Sequence, residues 1–305
     1  MEQIRFVINP IAGTRQKISE IRGAIAKVMA GSGSSYEVLL TEKAGDGALL
    51  AAEAASRHHP LVVAVGGDGT VNEVASSLVG TSSCLGIIPS GSGNGLAREL
   101  HIPRDAEAAC RILVEGMTLA IDVGLIADRY FLSTAGIGFE ARLSKAFNEN
   151  TAGCRGFWRY LLLGIREFFH YEPPVVKVII NGREFSFRPF ILTFANTRQY
   201  GNRAIIAPSA RANDGLLNVC MIPVMNPLRT VFHLPKLFTG QIEKAPGSFQ
   251  ATAQRVKVIR NVAGTVQVDG ENFEAEAALT VSVLSRALKV RCPSEDCDIF
   301  QPPLL

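Results

Sequence analysis

Leu61-Val-Val-Ala-Val65 has no polar position, and it runs directly into Gly66-Gly67-Asp68-Gly69-Thr70-Val-Asn72-Glu73. A strand that is apolar on both alternating faces belongs at the centre of a parallel sheet covered by helices on both sides. Three glycines in the next four residues free the backbone from the usual restrictions and let a phosphate approach with no Cβ in the way. Thr70 and Glu73 stand at capping-box spacing, so the next helix is predicted to start here, its free amides and positive dipole end facing the corner. A plain strand-to-helix turn needs one glycine. Three, with a carboxylate among them, point to phosphate binding.

The same alternation runs through the first 120 residues. Ile4–Ile8, Tyr36–Thr41, Leu61–Val65 and Leu85–Ile88 read as strands, and Ala-rich stretches near 15–30, 46–58, 71–79, 94–100 and 105–116 read as helices. A second corner follows the fourth strand: Pro89-Ser90-Gly91-Ser92-Gly93-Asn94-Gly95-Leu96. It is not a dinucleotide fingerprint, because Leu96 occupies the third glycine position and no acidic residue closes a following strand at the required distance. A Walker A loop is excluded too, since GK[ST] does not occur. Asn9-Pro10-Ile-Ala-Gly13-Thr14 is a third, weaker corner. In a parallel sheet all three lie at the carboxyl ends of strands, where ligands bind.

After Ile121-Asp122 the texture changes. Lys177–Ile180, then Asn181-Gly182, then Arg183–Phe187 is a hairpin with the signature of a type I′ turn. Leu216–Pro223, Gln254–Arg260, Thr265–Asp269 and Ala278–Leu284 continue as short strands, the pattern of an antiparallel sandwich or barrel. The expected division is therefore an α/β domain over 1–122 and an all-β domain over 123–288. A length of 305 residues suits two domains.

Thirty-one Lys and Arg against 28 Asp and Glu leave a net charge of +3, too small to argue for a nucleic-acid partner. Six cysteines without a CxxC pair suit neither a disulfide framework nor a zinc site, so they read as free thiols. The five histidines (58, 59, 101, 170 and 233) fit no metal or triad spacing; His58-His59 is expected to end a helix favourably against its dipole. The N-terminal residues lack the apolar stretch of a signal peptide, and no run of about 18 uncharged apolar residues is available to span a bilayer. The expected location is cytoplasmic.

In order and spacing, Asn9-Pro10-x-x-Gly13, Gly66-Gly67-Asp68-Gly69-Thr70-x-Asn72-Glu73 and Pro89-x-Gly91-Ser92-x-Asn94 resemble the diacylglycerol kinase catalytic domain family. That group includes bacterial lipid kinases, sphingosine kinases and ceramide kinases. Ile121-Asp122-Val-Gly124, Gly136-Ile-Gly138-Phe139, Asp214-Gly215-Leu216-Leu217 and Asp269-Gly270-Glu271 extend the resemblance along nearly the whole chain. It implies an N-terminal three-layer α/β nucleotide-binding domain, a C-terminal antiparallel β-sandwich for the lipid and an active site in the cleft between them. It also implies that a tail over 289–305 returns to the N-terminal domain.

The resemblance also implies roles. Asn9, Pro10, Gly13, Thr41, Gly66, Gly67, Asp68, Gly69, Thr70, Asn72, Glu73 and Ser92 would contact ATP. Asp68 and Asp122 would serve Mg²⁺ near the nucleotide. Glu271, with Asp269 nearby, would take the proton from the lipid hydroxyl; Asp68 is the alternative base. Asp214, with the main-chain carbonyls of Arg211 and Leu216, would hold a structural Mg²⁺. The run Gly91–Ala97 is closer to the sphingosine and ceramide kinase branch than to the Thr-Asn-Asp-Phe-Ala of many bacterial diacylglycerol kinases, so diacylglycerol against a sphingoid base stays open.

Two apolar stretches interspersed with cations, Gly156–His170 and Val231–Phe238, either pack on the sandwich or touch a bilayer. The expectation is an ATP-dependent lipid kinase with peripheral membrane contact, compatible with a homodimer. Its rivals are an NAD kinase-like enzyme acting on a soluble ribose and a non-catalytic nucleotide- or lipid-binding regulator.

Overall fold

The computed structural model describes residues 3–12, 15–139, 142, 171–201 and 204–294. Contacts divide the chain into two compact units. The first takes in the chain to Val123, Arg211–Gly215 and the chain from Leu284; the second takes in Gly124–Ala210 and Leu216–Val283. This differs from the linear division at 122 and 288 in two places. A five-residue loop from the middle of the second segment belongs with the first unit, and the return begins at Leu284 rather than at 289.

In the first unit, β1 (Gln3–Ile8), β2 (Ser35–Leu40), β3 (Leu61–Gly66) and β4 (Cys84–Pro89) are parallel, in the order β2-β1-β3-β4. Every position of β3 and β4 is buried, as their unbroken apolar runs require. The helices are α1 (Arg15–Ser32), α2 (Asp46–Ser56), α3 (Asp68–Leu78), α4 (Gly95–Glu99) and α5 (Ala106–Glu115). α1 packs with α5, and α2 with α3. Arg5 lies buried in β1, where its guanidinium donates to Glu37 on β2 at 2.7 Å and to Glu53 on α2 at 3.0 Å. Beside it, His59 is buried with Nδ1 3.8 Å from Glu37. Desolvation, then the Arg5 charge, lowers the His59 pKa from its ordinary 6.5. His58 and His59 both lie beyond α2 and its C-cap Arg57, so the helix ends before the histidine pair expected to close it.

β5 (Met117–Ile126) leads out of the first unit. The second unit is built from β6 (Arg129–Phe131), β7 (Thr134–Gly138), β8 (Val176–Ile180), β9 (Arg183–Phe187), β10 (Pro189–Ala195), β11 (Gln199–Gly201), β12 (Ala204–Ile205), β13 (Leu217–Pro223), β14 (Phe249–Ala253), β15 (Arg255–Arg260), β16 (Gly264–Val268), β17 (Glu271–Ala275) and the long β18 (Ala278–Cys292). One antiparallel sheet has the order β14-β13-β10-β7-β16-β17. Residues from it, such as Phe194, Val219 and Val266, share a core with Val178, Val256 and Val281 of the β8, β15 and β18 strands. Two sheets burying alternate residues against each other make the expected sandwich.

The β8–β9 hairpin turns at Asn181 (φ 50°) and Gly182 (φ 78°), both left-handed as a type I′ turn demands. β18 is longer than expected. Its first part pairs antiparallel with β15, as in Val256↔Val281; its last part pairs parallel with β4 through Lys289↔Cys84 and Val290↔Leu85. Between β13 and β14 the chain leaves the sheet for α6 (Pro227–His233) and two 3₁₀ turns, Leu234–Leu237 and Ile242–Lys244. Among the described residues no helix is long and apolar enough to cross a membrane.

Candidate active site

The two principal glycine corners are packed backbone to backbone. The Gly66 carbonyl accepts the N–H of Ser90 at 2.9 Å and of Gly91 at 3.3 Å. A Cβ added to Gly91 would lie 2.6 Å from the Gly67 Cα, a distance no side chain tolerates. Glycine is needed at this crossing because two main chains meet there.

Asp68, the first residue of α3, organises the second corner. Its Oδ2 accepts the Asn94 N–H at 2.9 Å and its Oδ1 accepts the Gly95 N–H at 2.6 Å, which caps α4 from outside. Asn94 holds a left-handed φ of 55° and donates through Nδ2 to the Gly91 carbonyl at 2.8 Å. The third corner joins the same cluster: Asn9 Nδ2 donates to Thr70 Oγ1 at 3.1 Å, and Asn9 Oδ1 accepts the Ile11 N–H at 3.0 Å. Thr41 is buried just beyond β2, its N–H donated to the Ile8 carbonyl at 2.9 Å.

Thus Asn9, Pro10, Thr41, Gly66, Gly67, Asp68, Gly69, Thr70 and Ser92 all lie at the carboxyl ends of β1 to β4. Asn72, one turn into α3, accepts from Ser76 Oγ at 3.3 Å. Gly13 and the stretch 156–170 lie outside the described residues.

One local expectation fails. α3 begins at Asp68, two residues before Thr70, and its N-cap is Gly67 with no side-chain cap bond. The Thr70–Glu73 capping box therefore has no helix start to close. Glu73 reaches across to α2 instead, accepting the Gly45 N–H at 2.9 Å and the Gly47 N–H at 3.2 Å.

Three cations that the motifs do not reveal converge on successive carbonyls of the second corner. Lys17 Nζ donates to Ser90 at 3.3 Å, Arg104 Nη2 to Gly91 at 3.1 Å and Arg98 Nη2 to Ser92 at 3.5 Å. Lys17 comes from α1 and Arg104 from beyond α4, so no spacing in the sequence joins them. Together with the α3 N-terminus they bring positive charge to this end of the sheet, beside the Asp68 carboxylate that caps α4.

The remaining carboxylates are held differently. Asp122 is fully buried in β5; its Oδ2 accepts the Gly215 N–H at 2.6 Å and its Oδ1 the Arg286 N–H at 2.7 Å. It thereby ties the 211–215 loop and β18 to the first unit. In the second unit, Asp269 and Gly270 form the two-residue turn between β16 and β17, with φ of 46° and 95°. Asp269 accepts main-chain N–H bonds from Leu132 at 2.7 Å, Ser133 at 2.9 Å and Thr134 at 3.0 Å. Glu271 follows at the start of β17 and is exposed. Asp214 is exposed in the turn completed by Gly215 (φ 73°), whose N–H Asp122 receives. No cluster of three or more His, Cys, Asp or Glu able to hold a metal occurs among the described residues. A site there would have to draw on main-chain carbonyls.

Comparison with known proteins gives a consistent result. The diacylglycerol kinase catalytic domain profile matches residues 3–126, and the profile of the YegS C-terminal NAD kinase beta sandwich-like domain matches residues 133–292. A protein of Chromohalobacter salexigens named "Probable lipid kinase YegS-like" is 30% identical over 89% of this chain and 83% of its own. A diacylglycerol kinase of Mycobacterium tuberculosis is 29% identical over 95% of each chain. A crystal structure from Bacillus anthracis shares the fold with a TM-score of 0.80 at 20% identity, covering 95% of both chains. Both halves of the molecule match in their expected order, and the chain belongs to the diacylglycerol kinase catalytic domain family, as a kinase of the lipid-kinase group.

Proposed function

We propose that this kinase transfers the γ-phosphoryl group of ATP to a hydroxyl of a membrane lipid, either diacylglycerol or a sphingoid-type lipid. The observation that carries this reading is the triple corner at the carboxyl ends of β1, β3 and β4. There, glycines allow close backbone approach and Lys17, Arg98 and Arg104 gather positive charge. Phosphoryl transfer is mostly positioning and charge stabilisation, which such a cradle supplies.

Asn9, Thr70 and the main-chain amides of Gly66–Gly69 would orient the phosphates, with Ser92 beside them. The donors near the corners are oxygens, as a hard divalent ion requires, so Asp68 fits a Mg²⁺ that keeps most of its waters. Such an ion would neutralise charge on the β- and γ-phosphates. The Asp214 turn, with the carbonyls of Arg211 and Leu216, is likewise an all-oxygen set suited to Mg²⁺ in a structural role. Asp122 stands beneath that turn as its anchor.

Glu271 is the proposed general base. The lipid hydroxyl gives its proton to the Glu271 carboxylate as its oxygen bonds to the γ-phosphorus, and the bond to the β-phosphate oxygen breaks to leave ADP. Exposure favours Glu271 over Asp68 and Asp269: it stands open at the start of β17, whereas the other two are partly buried.

The test uses labelled ATP and Mg²⁺ with diacylglycerol, sphingoid bases and NAD in separate mixed-micelle assays. Label in a lipid is the expected result. Label in NADP alone would establish the soluble-ribose rival, and no transfer to any acceptor would leave a binding regulator. Glu271→Gln should lose most turnover with nucleotide affinity nearly unchanged; wild-type turnover would move the base to Asp68.

A further inference from the structure

The excursion between β13 and β14 presents two faces of opposite use. Inward, Ile242 is buried and Leu237 and Met225 pack with Cys220 and Ile222 on the outer side of the six-stranded sheet. This anchoring uses part of the segment's apolar content. Outward, Phe232 is 74% exposed, Phe238 59% and Val224 43%. The only ring contact of Phe232 among the described residues is edge-on with its neighbour His233. Phe232 lies near the end of α6 and Phe238 directly follows the next 3₁₀ turn, so two exposed rings fall within seven residues of chain.

Three cations, Arg229, Lys236 and Lys244, accompany these rings in residues 224–248, against one carboxylate, Glu243. Exposed aromatics in a segment with net positive charge match the chemistry of an anionic membrane interface, where the rings enter the headgroup–acyl boundary and the cations meet lipid phosphates. A second copy of the chain fits less well. A two-fold contact would set the same net-cationic segment against itself.

We infer that residues 224–248 form a membrane-docking element that seats on an anionic bilayer, with Phe232 and Phe238 as its inserted side chains. The inference rests on the lipid-kinase reading for its purpose, which is to bring the enzyme to a lipid acceptor. It rests for its location on the exposed rings and cations alone.

The test is sedimentation of the full chain with vesicles of phosphatidylcholine, and of phosphatidylcholine mixed with phosphatidylglycerol. Wild type should bind the mixed vesicles far better, and salt should weaken that preference. Phe232→Ala and Phe238→Ala should each weaken binding by about tenfold. Arg229→Gln with Lys236→Gln should narrow the difference between the two vesicle types. Because these side chains are exposed, thermal unfolding and turnover on a water-soluble short-chain diacylglycerol should stay at wild-type levels.

Vesicle binding that survives loss of both phenylalanines would overturn the inference. So would a double variant that converts a lipid-free dimer to monomer, since the rings would then line a contact between copies. A wild-type protein that binds the mixed vesicles through these rings yet phosphorylates no lipid supports the docking and overturns only the lipid-kinase reading.

Discussion

Asp122 and Arg286 are 164 residues apart in sequence, and Oδ1 of the first accepts the backbone N–H of the second at 2.7 Å. The other oxygen takes the N–H of Gly215, and the Asp122 N–H is donated to the Ala212 carbonyl at 2.6 Å. One buried residue thus joins β5 to two distant stretches, the 211–215 loop and β18. Arg286 itself has a left-handed φ of 50°, which breaks the regularity of β18 where the amide turns to meet the carboxylate.

Asp122→Asn keeps the size of the side chain but replaces one acceptor with a donor, leaving Gly215 or Arg286 with a buried, unmatched N–H. The expected cost is about 2–3 kcal/mol, read as a lower urea midpoint at unchanged slope. Lost ATP affinity with full stability would instead make Asp122 a ligand to the nucleotide's metal ion.

Gly91→Ala places a methyl group against the Gly67 main chain, and neither backbone has room to yield. ATP affinity should fall by about tenfold or more, with stability reduced by about 1–3 kcal/mol. Gly23, in the middle of α1, is the control: nothing lies within 4 Å of an added Cβ there. Gly23→Ala should raise stability by about 0.5–1 kcal/mol and leave ATP affinity alone, as isothermal titration can check.

Glu73→Ala removes the acceptor for two N–H groups at the start of α2. The expected loss is about 1 kcal/mol, the scale of an N-cap. Amide exchange should quicken first in α2, and not in α3, to which Glu73 belongs.

His59 sets a pH dependence. Its folded pKa lies below the ordinary 6.5, so below that pH the unfolded chain takes up a proton that the folded one refuses. Stability should be flat above about pH 7 and decline as pH falls through 6.5, by at most about 1.4 kcal/mol per pH unit until the buried ring also protonates. His59→Leu should remove this component from the denaturation profile.

The corners and hairpin turns were legible because single residue types decide them: an all-apolar strand, a glycine where chains cross, an Asn-Gly pair at positive φ. Partners were not. Glu73 stands at capping-box spacing from Thr70, but a helix starting at Asp68 leaves that spacing without meaning, and its true partners lie 26 and 28 residues earlier. Lys17 reaches the second glycine corner from α1 and Arg104 from beyond α4, a meeting that only the folded packing produces. Arg211–Gly215 looked like part of the sandwich because its neighbours in sequence are strands. Its assignment depends on Asp122, a long-range contact with no local signature. The roles of Asp68 and Asp269 show the same limit: their positions were evident, their bonds to main-chain amides were not.

On the ribosome, β4 emerges about 200 residues before Lys289 and Val290, which cover its outer edge. At ordinary synthesis rates that interval is about 10–40 s. Throughout it, a fully apolar strand presents unpaired main-chain groups, the arrangement most prone to pair with another chain. A fragment ending near residue 126 would keep that edge bare permanently. Expressed alone, the α/β half should therefore aggregate, and β18, made late, acts as the closing piece of a sheet begun with β1.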